Sequence, residues 1–213
     1  MTTKKCIITI LIFFKMSNLL SQSFNISVID SDLCSIGYED QQIRKRFIEA
    51  IQKHSLEIHS IKLEMDSIDT YNQMYISNIL DKFGWVDSLT EDANIAIFLV
   101  IDHANYSFSV KYLDLVKKKA EQGIILKSDA ATLEDRILMK SLRLQKYGTQ
   151  TINKGDNVIY VWPIENNEKV DELRDSVGLP LMNSYLQLIE NQYKTKVVWD
   201  KKLKVEDLKV KFQ

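Results

Sequence analysis

The chain has 213 residues, 45% of them hydrophobic and 27% charged, a balance that fits one ordinary domain and excludes a disordered or collagen-like polymer. Lys+Arg 28 against Asp+Glu 29 leaves a net charge of -1, without the basic excess of a general nucleic-acid binder. Two cysteines exclude a disulfide-dense scaffold, and six glycines with two prolines leave little material for linkers or repeats.

Residues 1–23 read as an address. Lys4 and Lys5 precede the apolar run Cys6–Phe14, and Ser21 and Ser23 stand at the -3 and -1 positions of a cut before Phe24. Nine apolar residues reach about half-way through a hydrocarbon core, so a cleaved signal peptide is expected rather than a transmembrane anchor. The expected location is therefore the periplasm or outside the cell, with no stable membrane insertion after signal removal. Losing Lys4, Lys5 and Lys15 with no acid moves the net charge to about -4 and leaves Cys34 without a partner in the chain. No basic neighbour activates Cys34, so no catalytic cysteine is expected.

The mature chain reads as mainly α. From Asp40 to about Ile68 the apolar positions Ile43, Phe47, Ile51, Ile58, Ile61, Met65 and Ile68 keep a helical period, in one helix or in two joined near 54–57. A further helix is expected from an Asp69 N-cap to Phe83, stopped at Gly84. The continuous apolar run Ala93–Ile101, opened by Thr90 or Glu91 and ending near His103, predicts a helix at the centre of the fold. Helices follow at about 109–122 and 129–144. Beyond Gln145 the runs 147–152 and 158–162 are β-rich and flank a glycine-containing loop, which predicts a hairpin ended by Pro163. Two more helices are expected at about 169–177 and 182–192, and 194–213 is a terminal strand or a loose tail. The expected organisation is a signal peptide at 1–23, a multihelical single domain with one β-hairpin near 147–162 at 24–193, and the C-terminal tail.

Familiar chemistry is missing. There is no GxGxxG or GxxxxGK[ST] loop, no HExxH or CxxC spacing and no GxSxG elbow, so no cofactor and no metal site is expected.

An ordered set of short motifs runs through the chain. They are Asp40-Gln41-Gln42-Ile43-Arg44, Asp69 with Asn72, Gly84-Trp85, His103-Ala104, Asp135-Arg136, Gln145 with Tyr147-Gly148-Thr149-Gln150, and Val177-Gly178-Leu179-Pro180. Over roughly residues 38–190 this resembles a bacterial family of unknown function. The family usually reads GWP and QHA, where Val86 and Asp102 stand here. The resemblance implies a single exported or soluble domain and carries no activity to transfer.

The candidate site follows from these residues. His103, at a helix C-terminus where the dipole favours a cation, is a candidate general base or ligand-binding cation. Asp135 falls on an apolar helix face beside Leu138, Met139 and Leu142, so a buried carboxylate is expected, with Arg44, Arg136 or His103 as its partner. Asp40 and Arg44, taken alone, read as an ordinary i, i+4 surface pair, Asp69 and Asn72 as caps, and Trp85 as a core anchor. Gly148 in a strand allows close approach of another group, and Gln145, Tyr147, Thr149 and Gln150 suit recognition of an amide, a hydroxyl or a carboxylate. The leading expectation is a pocket for a small polar or peptide-like ligand, with His103, Asp135 and Arg136 as hypothetical catalytic groups and Asp40, Arg44 and Gln145–Gln150 as ligand contacts. A hydrolase or transferase with His103 as base is the second reading, and a structural domain with a buried polar network is the third.

Overall fold

The computed structural model describes residues 25–154 and 158–208. The signal-peptide reading and the tip of the expected hairpin at Gly155 lie outside the described residues.

Five helices make the main body. Helix α1 spans Ile26–Gln52 and α2 spans Ile58–Phe83. They are separated by a short turn in which His54 takes a left-handed conformation at φ 50°. Helix α1 therefore begins well before Asp40, and α2 runs straight through Asp69 and Asn72, which are mid-helix residues and not caps. Aspartate is a favoured N-cap, but here the Asp69 side chain is used across the helix interface, where it accepts from Arg44.

Helix α3 (Glu91–His103) is the buried centre that the apolar run predicts, with Ala93, Ile97 and Ile101 fully enclosed. Thr90 caps it by accepting from the Ala93 amide. Thr90 is itself tied to α1, because its amide donates to Asp30 at 2.7 Å. Helices α4 (Tyr106–Glu121) and α5 (Lys127–Lys140) complete the body, and α3 packs against α1, α2, α4 and α5. The α1–α3 approach is unusually close. A Cβ built on Gly37 would lie 2.8 Å from the Ala96 Cβ, so glycine is needed there for want of space.

The C-terminal part has its own small core of Val161, Ile164, Val170, Met182, Ile189 and Val197. Strands β1 (Thr151–Asn153) and β2 (Val158–Val161) form the expected antiparallel pair, in the register Thr151 to Val161 and Asn153 to Ile159. The strand pairing is shorter than the sequence suggests, because residues 147–150 form a loop. After α6 (Val170–Ser176) and α7 (Met182–Tyr193), residues Lys196–Val198 return as β3, parallel to β2. The two helices supply the crossover that a parallel pair requires. The fold is mainly α with a small three-stranded sheet. Among the described residues no helix is long and apolar enough to cross a membrane.

Candidate functional site

Polar residues interrupt the buried stripes of α1 and α2. On α1 the enclosed positions are Leu33, Ile36, Asp40, Ile43 and Ala50, so Asp40 occupies a place where the helical period calls for an apolar residue. On α2 the same is true of Asn72, one turn before Ile76 and two before Ile79. Both are 1% exposed.

Asp40 is the hub of the first cluster. Its carboxylate pairs with Arg44 at 3.0 Å, one turn along α1, and accepts from the Gln41 amide at 2.9 Å. It also meets the Nδ1 of His103, the last residue of α3, at 3.0 Å. Arg44 reaches on to Asp69 of α2 at 2.9 Å, so one anion and one guanidinium tie three helices together. The expected surface pair is thus the core of a buried network. A carboxylate accepts hydrogen bonds, so Nδ1 is the donor of this contact, and in the neutral ring the lone pair falls on Nε2. Nε2 has no hydrogen-bond partner among the described residues, and the His103 side chain is 20% exposed. The ring is therefore fixed on one side and accessible on the other.

Asn72 lies between two contacts of this cluster. Asp69, three residues before it, holds Arg44, and the Gln73 side chain accepts from Asn105, two residues beyond His103. Neither the Oδ1 nor the Nδ2 of Asn72 has a hydrogen-bond partner among the described residues. A buried amide without partners costs free energy, so this position calls for a group that can both donate and accept.

Arg136 is engaged elsewhere. Its Nε lies 2.9 Å from the Asp102 carboxylate, but the two are misaligned and form an ion pair without a hydrogen bond. Lys140, one turn further along α5, donates to the Ala104 carbonyl at 2.8 Å. Burial, helped by Arg136, holds its ammonium below the usual lysine range, with Asp102 opposing.

Asp135 forms the second cluster, and its partner is backbone, not one of the expected cations. The fully buried carboxylate accepts from the amides of Lys146 (2.7 Å), Tyr147 (3.1 Å) and Thr149 (3.0 Å), and from the Thr149 hydroxyl (3.0 Å). Burial pushes the carboxyl above the usual range, while these donors pull the other way. The opposite edge of the same peptides is held by Arg174 of α6, which donates to the carbonyls of Tyr147 (2.7 Å) and Pro180 (2.6 Å) and lies over the Tyr185 ring. Gln145 spans the loop: its Oε1 accepts from the Gln150 amide, and its Nε2 donates to the carbonyls of Gln150 and Trp162. Gly148 takes φ 69°, where glycine is favoured, and a Cβ there would lie 2.8 Å from Ile164 Cδ1 and 2.9 Å from Met182 Sδ, side-chain ends that would have to shift. Residues 145–150 are thus a loop wrapped on Asp135, with Thr149 and Gln150 both buried.

Apart from Arg136, which pairs with Asp102, the candidate residues accordingly fall into two groups. Asp40, Arg44 and His103 meet around α1, α2 and α3, whereas Asp135, Gln145, Tyr147, Gly148, Thr149 and Gln150 meet at the end of α5. No hydrogen bond or ion pair joins His103 to Asp135 or Tyr147 among the described residues. Asp69 and Arg174 belong to these networks, Asp102 pairs with Arg136, and Asn72 has no hydrogen-bond partner among the described residues; none of the four is among the candidate site residues. For Asp69, Asn72 and Gln73 the signal was available, since their spacing continues the helical stripe of the preceding segment. Trp85 is the core anchor that its position suggests, with its Nε1 donating to Asn94 at 2.6 Å. Among the described residues no three His, Cys, Asp or Glu side chains are placed to hold a metal ion.

Comparison with known families matches residues 28–198 to a family of unknown function (DUF6624). The curated proteins and the solved structures return no match.

Proposed function

We propose, for a chain that belongs to this family of unknown function, that it is an exported domain binding a small polar or peptide-like ligand at the cluster of His103, Asp40, Arg44 and Asn72. The observation that carries the reading is Asn72, an enclosed amide whose donor and acceptor are both unfilled among the described residues, three residues along α2 from the Asp69 that holds Arg44. A ligand presenting a carbonyl and an N–H or O–H satisfies that amide, and the lone pair of a neutral His103 Nε2 accepts a further hydrogen bond from it. Export is supported by the basic, apolar and small-residue order of residues 4–23.

The orientation of His103 by a buried carboxylate favours a second reading, in which the ring removes a proton from the bound molecule. Arg44, already shared between Asp40 and Asp69, then balances the charge of the site.

The test is an NMR titration of the mature chain with three probes: acetate, N-acetylglycinamide and glucose. Binding at this site shifts the Asn72 side-chain amide and the His103 ring saturably with at least one probe, and the shifts vanish in Asn72→Leu. Three flat titrations overturn the proposal. Where a probe binds, mass spectrometry separates the two readings: a product formed by wild type, and lost in a folded His103→Ala chain that still binds, selects catalysis. N-terminal sequencing of the exported protein is expected to begin at Phe24.

A further inference from the structure

The C-terminal end of α5, the turn that follows it, the 163–165 segment and residues 201–206 surround an open cleft of about 850 Å³. Small-molecule sites span roughly 300–1,000 Å³. The cleft shares no lining residue with the His103 cluster. Its walls are about equally apolar and charged; Leu138, Leu142, Leu144, Ile164 and Leu203 are on the apolar side, and Leu142 and Leu144 leave 46% and 43% of their surface open. Leu142 is held in the left-handed region at φ 56°, which turns the chain out of α5 and into the wall.

Charge at the cleft is uneven. Lys146 is paired with Glu134, and Lys201 lies over the Trp199 ring at 4.6 Å. Arg143, Lys202 and Lys204 also line the cleft and have no ion-pair partner among the described residues. Glu165 and Glu206 are in the lining too, so the surplus suits a single negative charge better than a polyphosphate. Unpaired cations beside exposed leucines define one ligand chemistry. We infer that this cleft binds an amphipathic monoanion, with a carboxylate-type head on Arg143 and Lys204 and an apolar chain against Leu142 and Leu144. The site is independent of the one proposed above.

Calorimetry of the mature chain with sodium dodecanoate below its micellar concentration tests it. Saturable one-to-one binding is expected, much weaker with dodecanol and absent with acetate. The Arg143→Ala/Lys204→Ala double variant should raise Kd about tenfold, a loss that corresponds to one good charged contact. Leu142→Gly removes the wall but suits the left-handed backbone, so it should weaken binding several-fold while the melting temperature holds or rises. No saturable heat overturns the inference. So does equal affinity for dodecanol or acetate, or unchanged affinity in the double variant.

Discussion

Asn72 is the residue at which stability and function make opposite demands. Its amide is enclosed on the apolar face of α2, with no partner for either polar atom among the described residues. Replacing a buried, unpaired polar group by an apolar one of similar volume removes a desolvation cost of about 1–3 kcal/mol. Asn72→Leu is therefore expected to raise the urea midpoint, by about 1–2 kcal/mol of unfolding free energy once imperfect packing is allowed for. It should do so while abolishing the probe-induced shifts at His103. A destabilised Asn72→Leu chain would mean that the amide is satisfied in solution by ordered water, and that its role is structural. Asp40 differs from Asn72 although it occupies the same kind of stripe position. Its three partners make it an organised charge, and only the face of His103 turned away from it is open for chemistry.

At the scale of elements, the approach of α1 to α3 is set by one close contact. Gly37 faces Ala96 where a Cβ would lie 2.8 Å from the Ala96 Cβ, and neither side has a flexible end that can swing aside. Gly37→Ala gains in helix propensity but must push the helices apart, at a cost of about 1–3 kcal/mol from overpacking. Since Asp40 lies one turn further along α1, the same shift lengthens the Asp40–His103 contact. The variant is expected to lower the melting temperature and broaden the His103 ring signals together. The elements themselves were largely legible because burial repeats with the helical period, as in Leu33, Ile36, Ile43 and Ala50 on α1. Their joints were less so. The α1–α2 turn rests on His54 at positive φ, a conformation that no glycine announces, and residues 147–150 have β-type composition but are drawn into a loop by Asp135. The Asp40–His103 pair spans 63 residues, and no local pattern encodes a contact of that range. What local pattern did hold was the intrusion of single polar residues into apolar stripes.

In the whole molecule, the core centred on α3 and the C-terminal core meet at one buried carboxylate, with a third, smaller cluster of Ile43, Ala50 and Ile61 set apart between α1 and α2. The helical body is centred on α3, and the C-terminal core gathers β2, β3, α6 and α7. Asp135 belongs to α5 of the body, but all four of its donors come from the loop that leads into the sheet. Arg174, from the other core, grips the carbonyl side of the same peptides. The loop is thus held between a buried anion and a buried cation, with its own N–H and C=O groups as the intermediate links. Asp135→Asn keeps the shape but replaces one accepting oxygen by a donor, which faces amides that also donate. Buried donors left unpaired cost about 1–3 kcal/mol each, so a loss of about 3 kcal/mol is expected in urea unfolding. The loss should not be spread evenly. Hydrogen exchange in the variant is expected to accelerate first across 147–198, with α1, α2 and α3 retaining their protection, because the cut falls at the joint and leaves the body core intact. Uniform acceleration would mean that the two cores unfold as one unit and that Asp135 stabilises the whole fold without coupling two parts of it.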